Sequence, residues 1–228
     1  MIEIAAFFGN PGKEYLRNRH NAGFMLAEKF PFYDDLFWQK KFKGLYAAME
    51  MSRLEEYLPN REEAPDMASA VPIEDGNRLP GRIHFIKPQT YMNLSGESVF
   101  AASSYFKIKS NAVLVVHDEL ELPLGFISLK YSGGLGGHNG LRSMKACFGT
   151  ADFWRLRIGI GRPDSRLPGE GGRPGSGEGI VDWVLSDFDA AEKEIFDKVL
   201  EGGAELLLRA LIEGPEGLLP EWAKRKMV

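Results

Sequence analysis

A short apolar run that stops abruptly at glycine and proline is the feature that most constrains the fold of this chain. Residues 2–8 are apolar apart from one glutamate, and a Gly-Asn-Pro-Gly segment follows at 9–12. A short apolar run closed in this way is typical of a buried strand. Residues 21–30 then carry apolar side chains at helical spacing. In α/β sheets, loops at the carboxyl ends of strands bind ligands, so we expect this crossover to contribute to a functional site.

Strand and helix patterns continue to alternate along the chain, which indicates one α/β domain with a largely parallel or mixed sheet. We predict strands at 2–8, 45–51, 82–87, 112–116, 127–131 and 154–160, and helices at 21–30, 95–107, 141–148 and 190–211. The continuous apolar run at 112–116 is typical of a central strand buried on both faces. A length of 228 residues, 44% of them hydrophobic, favours a single domain over 1–228.

Two segments depart from this alternation. Residues 53–80 are polar, with four prolines and several acidic side chains, and residues 163–179 are rich in Gly, Pro and Ser. We expect the first to be a solvated surface insertion and the second to be a long flexible loop.

Composition excludes several classes of protein. Cys147 is the one cysteine, so no internal disulfide can form, which fits a reducing compartment. We find no signal-peptide pattern and no apolar run of membrane-spanning length, so we expect a cytoplasmic protein without a membrane partner. The net charge of −4 argues weakly against a nucleic-acid partner but is compatible with a local basic patch.

One of the four histidines, His20, lies in the strand-to-helix crossover and is our candidate general base, since imidazole titrates near neutral pH. Asp118 follows the apolar strand at 112–116 and is either a cap or salt-bridge partner, or the carboxylate that orients a catalytic histidine. Side chains alternate along a strand, so only one of His117 and Asp118 can face a given cleft. His84 lies within an apolar strand and is interpreted as structural.

The glycine-rich run at 132–140 leads into a predicted helix. It is either a flexible hairpin or a backbone cradle for an anion, because glycines allow close approach and helix N-termini favour negative charge. It matches neither the Walker A loop nor the dinucleotide fingerprint, so we expect no nucleotide cofactor.

Three asparagines, Asn10, Asn93 and Asn139, lie in separate loops marked by Gly or Pro. Each is either a turn residue or one of several converging amides that bind a carbonyl, a water and a developing oxyanion. No Gly-x-Ser-x-Gly elbow is present, and Cys147 has the surroundings of a core residue. An activated water is therefore the expected nucleophile.

A metal site formed by His20, Asp118 and His138 is conceivable. However, the His-x-x-x-His spacing of many zinc helices is absent, so we expect no metal.

Five motifs, taken in order, resemble those of bacterial peptidyl-tRNA hydrolases. They are Gly-Asn-Pro-Gly at 9–12 with Tyr15 and Arg-His-Asn at 19–21, the segment 87–96, His-Asp-Glu-Leu at 117–120, Gly-Gly-His-Asn-Gly-Leu at 136–141, and the strand at 155–161. The resemblance implies a monomer with a twisted mixed sheet flanked by helices and no cofactor. It also implies an activity, the hydrolysis of the ester between peptide and tRNA, which recycles tRNA during translation.

The resemblance also implies residue roles. His20 is similar to the proton acceptor that activates water, Asp118 to its orienting carboxylate, and Asn10 to the residue that selects N-blocked esters. Contacts to the acceptor end of peptidyl-tRNA are implied for Tyr15, Tyr91, Asn93 and Asn139, and a clamp on the tRNA 5′-phosphate for Lys130 and Arg157.

The chain departs from the family pattern at Phe7 and Phe8, which precede the first glycine, and at Asn18, which replaces a common threonine. Both polar segments are also longer than the family pattern needs. Two rival functions stay open, a non-catalytic RNA-binding relative and a metal-dependent or small-molecule esterase. The presence of both His20 and Asp118 favours the hydrolase.

Overall fold

The computed structural model describes residues 1–58, 81–163 and 177–228, and its core is a mixed sheet between two layers of helices. The strands are β1 (Ile4–Phe7), β2 (Gln39–Lys41), β3 (Gly44–Glu50), β4 (Arg82–Pro88), β5 (Val113–Glu119), β6 (Phe126–Tyr131), β7 (Trp154–Gly159) and β8 (Arg225–Lys226). The helices are α1 (Ala22–Ala27), α2 (Met51–Leu54), α3 (Ser95–Phe106), α4 (Asn139–Phe148), α5 (Gly177–Val184), α6 (Ala190–Ile212) and α7 (Leu219–Trp222).

The sheet has a parallel centre and antiparallel edges, in the order β2-β3-β4-β1-β5-β7-β6-β8. Strand β1 pairs in parallel with β4 and β5, and β5 pairs in parallel with β7. The pairs β2–β3, β3–β4, β6–β7 and β6–β8 are antiparallel. This arrangement confirms the predicted α/β class and its largely parallel, mixed sheet.

Side-chain alternation along the central strands divides the core into two clusters. On one face, Phe7 and Val116 pack with residues of α1 and α6 such as Leu26. On the other face, Phe8 and Val115 pack with residues of α3 and α4. The crossover helices therefore cover both faces of the sheet, as parallel strands require. Among the described helices, none combines the length and the apolar character that crossing a membrane requires.

The observed element bounds differ from the expected ones at three places. The strand at 112–116 does not stop before His117, because β5 continues to Glu119 and all of its residues are buried. Helix α5 begins within the predicted flexible loop. The first residues of the predicted polar insertion belong to α2 and to a short 3₁₀ turn, and Leu54 there is fully buried. The remainder of both polar segments, 59–80 and 164–176, lies outside the described residues.

Helices α3 and α4 meet at Gly96. A Cβ atom built there would lie 2.4 Å from the carbonyl carbon and oxygen of Ser143, closer than packed atoms allow. We therefore expect Gly96→Ala to lower the free energy of unfolding by about 1–3 kcal/mol, the usual range for overpacking, measured by urea denaturation. Gly217→Ala is the control, because a Cβ there meets nothing within 4 Å. Equal stability of the two variants would contradict this packing.

Candidate active site

The carboxyl ends of β1 and β5 lie side by side, and this brings the crossover loop to the end of β5. Phe7 pairs with Val116, and the backbone N–H of Phe8 donates to the Val116 carbonyl at 2.9 Å. The loop returns as a 3₁₀ turn, Arg19–Asn21, that holds a buried His20. Its Nδ1 lies 2.8 Å from Oδ1 of Asp118. Two residues that are 98 positions apart in the sequence thus form a buried pair.

Asp118 is almost fully buried, at 2% exposure, and it is stabilised as a carboxylate by two imidazole rings. Besides His20, Nε2 of His138 lies 3.0 Å from the same Oδ1 atom. Burial alone would raise the pKa of Asp118, but the charges of both rings and their hydrogen bonds outweigh it and hold this pKa well below its usual range. The site therefore keeps a fixed negative charge in its interior.

His20 is the group that can exchange a proton here. Burial acts to lower the pKa of His20, but the charge of Asp118 and the hydrogen bond to it prevail and raise this pKa above its ordinary value. Since Nδ1 donates to the carboxylate, Nε2 is the atom that can accept a proton, and Asp118 stabilises the imidazolium that results. The pair has the geometry of a general base with its orienting carboxylate.

His138 connects this pair to helix α4. Its Nδ1 accepts hydrogen bonds from the backbone N–H groups of Gly140 at 3.1 Å and Leu141 at 3.4 Å, so the ring caps the helix. Because Nδ1 is an acceptor, the ring proton of neutral His138 lies on Nε2 and is donated to Asp118. This role was not among those predicted for His138 from the sequence. A histidine directly before a helix start was the available signal, but histidine is not among the preferred capping residues.

Asn10 joins the crossover loop to the loop that follows β4. Its backbone N–H donates to Oδ1 of Asn21 at 2.8 Å, and its carbonyl accepts from Nδ2 of Asn21 at 3.1 Å. Its side-chain Oδ1 accepts from the N–H of Met92 at 2.8 Å. A backbone N–H can only donate, so this contact fixes the orientation of the Asn10 amide. The Nδ2 group is therefore the part of Asn10 that can donate to another molecule.

Comparisons with known proteins show the family. Residues 4–227 match the family model described as peptidyl-tRNA hydrolase. The chain belongs to the peptidyl-tRNA hydrolase family. A protein of Treponema pallidum (strain Nichols) named peptidyl-tRNA hydrolase is 39% identical over 230 residues, with 100% of this chain and 97% of that protein covered.

Solved peptidyl-tRNA hydrolase structures have the same architecture. The crystal structure of a complex of peptidyl-tRNA hydrolase with N-propanol is similar, with a TM-score of 0.72 and 28% identity over 97% of this chain and 96% of that chain. The enzyme from Acinetobacter baumannii gives a TM-score of 0.70 at 29% identity, with the same coverage. The family assignment thus extends over the whole described fold.

In this peptidyl-tRNA hydrolase family member, the other residues singled out from sequence lie in the crossover loop, in the loop after β4, at the start of α4 and on β6 and β7. Asn93 is exposed in the 3₁₀ turn Met92–Leu94, next to the residue that binds Asn10. Asn139 is exposed as the first residue of α4, next to the capping histidine. Tyr91 is 60% exposed, and Tyr15 ends the 3₁₀ turn Lys13–Tyr15 in the crossover loop.

Lys130 and Arg157 lie on the neighbouring antiparallel strands β6 and β7 and are half-buried. Arg157 donates to Ser128 Oγ at 2.7 Å and approaches the carboxylate of Glu119 at 3.5 Å. Burial, then the positive charges of Arg157 and Arg155, lower the pKa of Lys130. Arg155 has a different role, because it is buried and donates to the carbonyls of the glycine loop.

His20, Asp118 and His138 each offer one ligand atom within 4.8 Å of the others, which is close enough to hold a metal ion. The hydrogen bonds of His138 disfavour that use. Its Nδ1 accepts from two backbone amides, so its Nε2 carries the proton and has no lone pair for a metal. The cluster fits a proton-transfer site better than a metal centre.

We expect neutral His138 to carry its proton on Nε2, because the first turn of α4 occupies Nδ1. Long-range ¹H–¹⁵N correlation spectra of protein labelled in its histidines will distinguish the two tautomers, and His138→Gln assigns the ring. His84 is the internal comparison. It lies near the amino ends of the central strands, away from the site at their carboxyl ends, and it hydrogen-bonds Tyr46 at 2.9 Å. A proton on Nδ1 of His138 would contradict the capping geometry.

Proposed function

We propose that this chain hydrolyses the ester bond between the peptide and the terminal ribose of peptidyl-tRNA. The products are free tRNA and an N-blocked peptide, so the reaction recycles tRNA during translation. The observation that carries this proposal is the buried His20–Asp118 pair at the carboxyl ends of two adjacent parallel strands, in a chain that belongs to the peptidyl-tRNA hydrolase family.

In the proposed mechanism, Nε2 of His20 takes a proton from water as the water oxygen attacks the ester carbonyl. Asp118 holds the ring through Nδ1 and stabilises its cationic form. When the tetrahedral intermediate collapses, the bond between the acyl carbon and the ribose oxygen breaks and His20 returns the proton to that oxygen. One general base contributes about 10²–10⁴-fold to a rate, which is a sensible minimum for an ester whose leaving group is an alkoxide.

Amide side chains around the pair supply the remaining stabilisation. Asn10 presents Nδ2 because its oxygen is bound by the Met92 N–H, and it is the proposed contact to the peptide that selects N-blocked substrates. Asn93 and Asn139 are exposed, in the turn Met92–Leu94 and at the start of α4, and are the proposed donors to the ester carbonyl and its oxyanion. Tyr15 and Tyr91 are the proposed further contacts to the acceptor end.

The tRNA is held, in this proposal, through its acceptor end and its 5′-phosphate. Lys130 and Arg157 are close enough for Arg157 to lower the pKa of Lys130, and a phosphate between them would relieve this repulsion. RNA helices are recognised mainly through phosphates and shape, so a local pair of cations suffices despite the net charge of −4. We propose that the active protein is a monomer and works in the cytoplasm.

The direct test measures release of N-acyl amino acid from N-acyl-aminoacyl-tRNA. We expect His20→Ala to lower the rate by about 10²–10⁴-fold. His84→Gln, near the amino ends of the central strands, should leave the rate unchanged. No release by the wild-type protein would favour the RNA-binding rival. Activity that is lost on adding a chelator and restored by zinc would favour the metal-dependent esterase. Turnover of simple esters as fast as that of the tRNA ester would favour the small-molecule esterase.

The same assay, repeated as a function of pH, tests the protonation state in which His20 acts. His20 acts as a neutral base and its pKa is raised, so kcat/KM should fall as pH decreases through that raised value. Asp118→Asn removes the charge that raises this pKa, so the acid limb should move to lower pH while the plateau rate falls.

A separate prediction concerns RNA affinity. Lys130→Ala and Arg157→Ala should each raise KM more than they lower kcat, because these side chains contact phosphate and not the ester. Each should also reduce the slope of log KM against log salt concentration by about 0.7–0.9, the value for one lost phosphate contact. Lys193→Ala, which removes an exposed lysine of α6 paired with Asp197, is the control. Unchanged salt slopes in both variants would contradict the phosphate role.

A further inference from the structure

Arg19, the residue directly before His20, is fully buried and held by the C-terminal part of the chain. Its Nη2 lies 2.6 Å from Oε2 of Glu192, and its Nε donates to Oγ of Ser186 at 3.2 Å. Its backbone N–H donates to the Ser186 carbonyl at 3.0 Å. A buried guanidinium costs several kcal/mol of desolvation unless it is paired, so these contacts explain how the fold tolerates it.

Two aromatic rings enclose the same guanidinium. Its Cζ lies 3.9 Å from the centroid of Trp183 and 4.5 Å from that of Phe188. Guanidinium stacking on aromatic faces is favourable, and it fixes the plane of the group in a way that a lysine ammonium does not reproduce. We call these five residues the Arg19 clamp: Arg19, Trp183, Ser186, Phe188 and Glu192.

The clamp is itself anchored to rigid parts of the fold. The indole N–H of Trp183 donates to the Gly161 carbonyl at 2.8 Å, just beyond the end of β7. Glu192 completes a capping box at the start of α6, where its Oε2 accepts from the backbone N–H of Asp189 at 3.0 Å. The carboxylate that pairs with Arg19 therefore also fixes the N-terminus of the longest helix described.

We propose that Arg19 is a positioning residue for His20, and that the Arg19 clamp holds the 3₁₀ turn so that His20 meets Asp118. This inference rests on the proposed function. The turn Arg19–Asn21 contains three residues, and neighbouring side chains in a 3₁₀ helix point about 120° apart. Arg19 is thus held on one side while His20 faces the carboxylate on another.

The side chains of the other two residues of the turn are each held by hydrogen bonds with a single partner residue. Asn21 binds the backbone of Asn10, and His20 binds Asp118 itself. Without the clamp, only these contacts and the backbone bonds of the turn would hold the His20–Asp118 distance of 2.8 Å. A misplacement of about 1 Å at a reacting group can lower a rate about 10²-fold. Loosening this turn should therefore lower kcat more than it weakens substrate binding.

The test uses two variants that keep the net charge. Arg19→Lys removes the guanidinium with its stacking and its two side-chain hydrogen bonds. Ser186→Ala removes the acceptor of the Arg19 Nε–H together with the Oγ bond to the Trp183 carbonyl. We expect Arg19→Lys to lower kcat by about 10- to 100-fold with KM changed less than about twofold, and Ser186→Ala to have a smaller effect of the same kind. Thr150→Ala is the control, because it removes a side-chain bond at the amino end of β7, to the N–H of Asp152.

A second readout is the pKa of His20 from an NMR titration. If the clamp positions His20, loosening it weakens the contact with Asp118 that raises this pKa, so both variants should titrate at lower pH and shift the acid limb of kcat with it. A merely structural role would lower stability without moving this pKa. Wild-type kcat and His20 pKa in Arg19→Lys would overturn the inference.

Two further outcomes are decisive. If Arg19→Lys does not fold, Ser186→Ala decides alone: a lowered His20 pKa and kcat support the clamp, and wild-type values of both overturn it. If the wild-type protein releases no product, the proposed function fails. The NMR titration still tests the clamp in that case, because it requires no turnover.

Discussion

The buried carboxylate of Asp118 is the group on which the rest of the site depends. A charge removed from water is stable in a protein only when donors replace its hydration. Here two imidazole rings share one oxygen atom, and they come from distant parts of the chain, one from the crossover after β1 and the other from the start of α4. The parallel pairing of β1 with β5 makes this convergence possible.

His138 and Asn10 also have structural roles, which links the site to folding. His138 caps α4, so the helix start and the second hydrogen bond to Asp118 cannot be separated. Asn10 similarly binds both Asn21 and Met92 while it presents its amide nitrogen. Preorganisation of this kind lets the site stabilise charge without rearranging during the reaction.

Sequence patterns could predict the central strands, because apolar runs define them, and could place His20 and Asp118 each near the carboxyl end of a strand. They could not show that the two side chains meet, which only the family resemblance implied. They could not predict the polar edge strands β2 and β8, whose exposed residues carry no apolar pattern. The extension of β5 through Asp118 was hidden by its polar residues, which are buried only because partners arrive from elsewhere. The environment of Arg19 depends on side chains 167 and 173 positions away, and no local pattern reports such contacts.

The distance in sequence between Arg19 and Glu192 has a consequence for biosynthesis. While this chain is being made, it is itself attached to tRNA on the ribosome, in the chemical form that the enzyme is proposed to cleave. The segment that holds the 3₁₀ turn is translated 167 to 173 positions after Arg19. A nascent chain that does not yet include this segment has its imidazole but not the contacts that position it, so competence has to wait for the later segment.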